Sequence, residues 1–140
     1  MGTRRPAARR RRSALEVHPV GVVEVPPAPE DQVNSGHKQI RVFPEYEEAL
    51  DSVETLEHLT ILYWMHELRP GDRRRLKAHP RGDRRRRLRG VFALRSPMRP
   101  NPIGVTTVRL VRREGLVLHV EGLDALDGAP VIDIKCGRAE

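Results

Sequence analysis

Apolar residues in this chain come in short bursts, separated by polar, glycine-rich or proline-rich breaks. "VHPVGVVEV" (17–25) is dense in β-branched residues and predicts a strand. "KQIRVF" (38–43) alternates apolar and polar positions and predicts a second. "HLTILYWMHEL" (58–68) is a continuous apolar run and predicts a buried central strand. "RGVFAL" (89–94), "GVTTVRLVRR" (104–113), "LVLHVEGL" (116–123) and "VIDIK" (131–135) predict four more. Turns fall at Glu114-Gly115 and through "DALDGAP" (124–130). Helical signal is confined to "PEYEEALDSVETLEHL" (44–59), where Pro44 suits a first helical position and acids follow it. Tyr46, Leu50, Val53 and Leu56 recur there at three or four residues, enough for one or two short helical turns. Many short strands with little helix predict a mainly β fold: a small, partly or fully closed β-barrel.

Two breaks are too long to be simple turns. "PPAPEDQVNSG" (26–36) has three prolines and no periodicity. Residues 69–88 form an arginine-rich connection, and a loop of that length in a small domain is usually functional or disordered. The organisation expected is a disordered basic arm over 1–14, one barrel domain over 15–136 and a short tail over 137–140.

Charge sharpens this picture. The net charge of +7 is unevenly distributed: residues 1–14 hold six arginines, 15–68 sum to −9 and 69–99 to +11. So concentrated a basic surface attracts polyanions, nucleic acid above all. The single cysteine, Cys136, rules out an intramolecular disulfide and fits a cytoplasmic protein. No apolar run approaches the roughly 18–20 residues a membrane helix needs, and no apolar core follows the N-terminal arginines as a secretory signal requires.

Familiar catalytic signatures are absent. No glycine-rich dinucleotide or phosphate loop follows a strand. His66-Glu67 opens like a zinc protease motif, but Pro70 stands where its second histidine belongs. One cysteine cannot build a zinc ribbon, and no metal site is expected. What remains is unusual. In "LRSPMRPNPIG", Arg95 and Arg99 lie four apart among three prolines, which limit the backbone freedom lost when a ligand docks. A guanidinium held this way suits a carboxylate or phosphate. In "GLDALDG", Asp124 and Asp127 bracket a turn that either caps its own backbone or offers a backbone edge to a flat ring. In "MHE", His66 stands where the central strand runs into loop.

"GVFALRSPMRPNPIG" followed by "LDALDGAPVIDIK" resembles the TrmO family (TsaA-like), and "FPEYEEALDSVETLEHLTILYWMH" resembles its upstream stretch. The likeness covers roughly residues 17–136. It implies a small β-barrel that binds S-adenosylmethionine without a Rossmann sheet, forms homodimers, and places the cofactor near the subunit interface. The activity it implies is N6-methylation of threonylcarbamoyladenosine beside the anticodon of tRNA. The alternatives are methylation of a small molecule on the same barrel and noncatalytic RNA binding. By resemblance, Gln32, His66, Glu67, Arg95, Val105, Leu123, Asp124 and Ala125 contact the cofactor. Asp127 is the candidate proton acceptor. Arg84, Arg85, Arg86, Arg87 and Arg99 are expected on the RNA. Many bacterial members continue into a further C-terminal domain.

Overall fold

The computed structural model describes residues 12–27 and 36–138. Gln32 and most of the N-terminal arm lie outside the described residues. Eight strands form among the described residues: β1 (Gly21–Glu24), β2 (His37–Val42), β3 (His58–Trp64), β4 (Lys77–Ala78), β5 (Arg89–Gly90), β6 (Ile103–Glu114), β7 (Val117–Glu121) and β8 (Pro130–Cys136). Six of them close an antiparallel barrel in the order β1-β2-β7-β6-β3-β8, while β4 and β5 pair separately. The closing seam is short: Gly21 pairs with Val131 and Val22 with Pro130. Val20 N–H donates to Val131 O at 2.8 Å, and Val23 N–H to Ala129 O at 2.9 Å, extending it.

Strand period explains the core. Along β3, Leu59, Ile61 and Tyr63 point inward and are buried, while Thr60, Leu62 and Trp64 face outward. Val23, Ile40, Val42, Val108, Leu110, Leu118, Val120 and Val131 complete the interior. Each such side chain contributes about 1.5–3 kcal/mol on burial. The run predicted as a buried central strand is therefore buried on one face. The predicted helical turns are 3-10 helices, Pro44–Leu50 and Val53–Thr55, with buried Leu50 packed against the barrel core and Tyr46, Val53 and Leu56 beside it. His119, the buried polar side chain of β7, meets His37 Nε2 through Nδ1 at 2.9 Å and Glu114 Oε2 through Nε2 at 3.0 Å.

Two expectations are corrected. Residues 69–88 are structured: they contain β4 and the 3-10 turns Asp72–Arg74 and Pro80–Gly82, and β4 pairs with β5. Residues 89–94 are not a barrel strand. Pairing stops at Gly90, Val91 N–H donates to Leu76 O at 3.0 Å, and Val91–Ala93 form a 3-10 turn. Val91 is buried, but Phe92 is 83% exposed, so the apolar residues that mimic a strand do not share one buried face. Among the described residues, no helix is long and apolar enough to cross a membrane.

Candidate active-site cleft

The chain leaves the sheet after Trp64, with Met65 N–H still donating to Pro102 O at 2.8 Å. From there Met65–Leu68 run along the barrel rim. They meet the proline loop 94–101 and the segment Asp124–Leu126 around a cleft of about 740 Å³. That volume lies within the roughly 300–1,000 Å³ typical of small-molecule sites. Its walls are mostly apolar, with Phe92, Leu94, Ile103, Val105 and Leu126 among them, and carry the charged side chains of Glu67, Arg95, Arg99 and Asp124.

One wall is fixed by a bolt through the barrel. Tyr63 on β3 faces Gly104 on β6. A Cβ on Gly104 would lie 2.3 Å from the tyrosine Cε2 and 2.4 Å from Cζ, so only glycine lets the ring pass. The Tyr63 hydroxyl then donates to Asp124 O and lies 3.2 Å from Thr106 Oγ1. Burial raises the Tyr63 pKa above its ordinary value, the nearby Asp124 charge adds to this, and the Thr106 hydrogen bond opposes it. The β3–β8 register shifts between Leu62 and Tyr63, and bulges of this kind commonly aim side chains beside sites. From β2, Lys38 Nζ donates to Ala125 O at 2.6 Å.

These two bonds determine what the segment offers a ligand. In a trans peptide the C=O and the following N–H point in opposite directions. With Asp124 O on Tyr63 and Ala125 O on Lys38, the N–H groups of Ala125 and Leu126 point the other way. Neither has a backbone acceptor among the described residues. Both residues line the cleft, so their amides are available to the ring nitrogens of a flat heterocycle.

The proline loop is held from inside and outside. Arg99 Nη1 donates to Leu94 O at 3.0 Å and Ser96 O at 3.2 Å, so that guanidinium braces the loop. Arg73 stacks 5.2 Å over the Trp64 ring while its Nε donates to Pro100 O at 2.8 Å. Arg95, by contrast, has no hydrogen-bond or ion-pair partner among the described residues, although it lines the cleft.

The other expected residues divide. His66, Glu67, Arg95, Val105, Asp124 and Ala125 all line the cleft. Leu123 is buried in the core directly behind it. Asp127 is outside the lining: its Oδ1 accepts Val25 N–H at 2.9 Å, tying the turn to the end of β1. His66 reaches that turn, with Nε2 3.7 Å from where a Cβ on Gly128 would stand. Arg84–Arg87 lie on the exposed connection between β4 and β5. There Arg85 pairs with Asp83 at 3.1 Å, which lowers the Asp83 pKa. Sequence reasoning missed Tyr63, Gly104, Lys38 and Arg73. The signal for the first two was available, because a glycine inside a strand pattern marks a close approach.

A six-stranded antiparallel barrel with a cleft of backbone amides and an arginine that have no partner among the described residues, and with rim carboxylates, has the features of a small-molecule-binding barrel. The chain belongs to the tRNA-methyltransferase O N-terminal domain family, whose sequence profile matches residues 22–137. It is 45% identical over 128 residues to a probable S-adenosyl-L-methionine-binding protein of Methanothermobacter thermautotrophicus, covering 86% of this chain and 88% of that one. It is 34% identical over 137 residues to the Escherichia coli tRNA (adenine(37)-N6)-methyltransferase, covering 88% of this chain and 57% of that one. The crystal structure of TrmO from Pseudomonas aeruginosa superposes with a TM-score of 0.66 at 28% identity, covering 89% of this chain and 56% of that chain. The chain thus spans little more than half the length of the two tRNA-methyltransferase relatives.

Proposed function

We propose that the cleft binds S-adenosylmethionine and that the protein methylates N6 of threonylcarbamoyladenosine beside the anticodon of tRNA. The observation that carries the reading is the pairing of unengaged groups: the free Arg95 guanidinium and the free Ala125 and Leu126 amides line one cleft. The cofactor presents a carboxylate at one end and a purine at the other, and these groups match them in kind. Glu67 and Asp124 add the negative charge that a sulfonium favours. When bound, the cofactor supplies an electrophilic methyl group on a cationic sulfur. Arg95 holds the carboxylate, the bolted Asp124–Leu126 segment orients the ring, and the apolar walls exclude water, so the chain acts chiefly by positioning. The Asp127 carboxylate is tied to a backbone amide, so the proton leaving N6 is assigned instead to His66, at the boundary of the cleft. Assembly as a cytoplasmic homodimer belongs to the same reading, with exposed Ile103 and Val105 beside the cleft as its apolar contact.

The test is calorimetric titration with S-adenosylmethionine, followed by methyl transfer to tRNA from cells with and without threonylcarbamoyladenosine. Micromolar binding near one site per subunit, with transfer only to the modified tRNA, is the expected result. Binding with transfer to neither tRNA would favour a small-molecule acceptor, and no binding at all would remove the cofactor reading.

A further inference from the structure

A second hollow adjoins the cleft, and its meaning rests on the methyltransferase reading above. It has a volume of about 500 Å³ and shares Trp64, Met65, His66 and Leu68 with the first. Its remaining wall is different in charge: Arg69, Arg73 and Arg74 line it, and no acidic residue among the described residues does. The one acid in that loop, Asp72, spends Oδ2 on Arg69 N–H at 2.7 Å. Among the described residues, Arg73 is held by neutral acceptors, Pro100 O and Asn101 Oδ1, and by the Trp64 ring, and no carboxylate pairs with its charge. The guanidiniums of Arg69 and Arg74 have no hydrogen-bond or ion-pair partner among the described residues.

Unpaired arginines on a convex surface are simply solvated. Three around a concavity focus a positive potential into it. This hollow shares a wall that includes His66 with the cleft, so an anion seated there would lie beside the place where the methyltransferase reading puts the acceptor. We propose that the hollow seats a backbone phosphate of the RNA strand next to the acceptor nucleoside. Arg69 and Arg74 take the phosphate oxygens, and Arg73 keeps the wall in place. The seat sets the register of the strand, whereas the arginines on the β4–β5 connection add general attraction to the polyanion.

The test compares two variants that each remove two exposed charges, Arg69→Gln/Arg74→Gln in the hollow and Arg84→Gln/Arg87→Gln on the connection. Binding of an anticodon stem-loop RNA is followed by fluorescence anisotropy from about 50 to 200 mM salt. Methyl transfer is measured alongside. The hollow variant is expected to keep wild-type S-adenosylmethionine affinity, to bind RNA more weakly, and to show a log–log salt slope shallower by about 1.4, two contacts at roughly 0.7 each for a single strand. It is also expected to lose kcat at saturating RNA, while the connection variant changes KM alone. An unchanged slope, or identical behaviour of the two variants, would overturn the seat. So would an equal loss of affinity for the isolated modified nucleoside, which has a carboxylate but no phosphate. Calorimetry judges the cofactor reading separately, because the anisotropy slope has the same meaning whether or not S-adenosylmethionine binds.

Discussion

Replacing Gly104 with alanine adds one methyl group where the structure has none to spare. The new Cβ would sit 2.3 Å from Tyr63 Cε2, against 3.4–4 Å for ordinary contact, so the ring must move by about 1 Å. Tyr63 is 4% exposed and enclosed by core side chains, so it has little room to yield. Overpacking of this kind costs about 1–3 kcal/mol. Losing the hydroxyl bond to Asp124 O adds roughly 1 kcal/mol. The expected destabilisation is therefore about 2–4 kcal/mol, read as a lower urea midpoint with unchanged m, and a Tm drop on the order of 10 °C. Affinity for S-adenosylmethionine should fall with it, since the segment that Tyr63 bolts is the cleft wall. Tyr63→Phe serves as the companion: it removes only the hydroxyl and should cost about 1 kcal/mol. In the absence of a clash, glycine to alanine stabilises by about 0.4–1 kcal/mol through the unfolded chain. A Gly104→Ala protein as stable as wild type, or more so, would refute the bolt.

Arg95→Ala should weaken S-adenosylmethionine binding about 10- to 150-fold, the equivalent of about 1.5–3 kcal/mol for a charged hydrogen bond, with stability unchanged; calorimetry and a melting curve check both. The raised Tyr63 pKa means that the folded state holds its proton longer than the unfolded chain, so its contribution to stability is intact below the ordinary value of 10.0 and is lost as pH rises above it. Absorbance titration of the tyrosinate band should show a step above the ordinary value, and Tyr63→Phe should remove it. Asp127→Asn keeps an oxygen for Val25 N–H, so both stability and the methyl-transfer rate should stay near wild type; a large loss of rate alone would return the proton-accepting role to Asp127. Arg73→Ala releases Pro100 O and the Trp64 ring, and limited trypsin digestion should then cut at Arg74 or Arg75, in the loop ahead of β4, faster than in wild type.

Strand period was legible in β2, where buried Ile40 and Val42 flank exposed Arg41. In β3 it was masked, because Leu62 and Trp64 make the outward face apolar as well. Most residues named by the resemblance lie along one cleft, since the proline loop and the aspartate turn are contiguous motifs. Other features were out of reach because they depend on pairs distant in sequence. Nothing local to Lys38 says that it will reach Ala125 O, 87 residues away. Arg73 reads as one more cation in a charged run, yet it clasps Pro100 and Trp64. Phe92 misled for the opposite reason: its neighbours resemble a strand, but the backbone turns at Val91 and leaves the ring outside the core.

The seam between β1 and β8 has a consequence for the order of assembly. It joins residue 21 to residue 131, whereas the β6–β7 hairpin pairs residues close along the chain. Contacts so distant in sequence carry the largest loop-closure entropy and tend to form late. The cleft segment Asp124–Leu126 lies just ahead of β8, and the Asp127–Val25 bond fastens the turn after it to β1. Refolding should therefore restore the fluorescence of Trp64, whose β6 partner Ile103 is much nearer in sequence than the partners across the seam, before it restores ligand binding. The interval between the two signals would time the closing of the barrel.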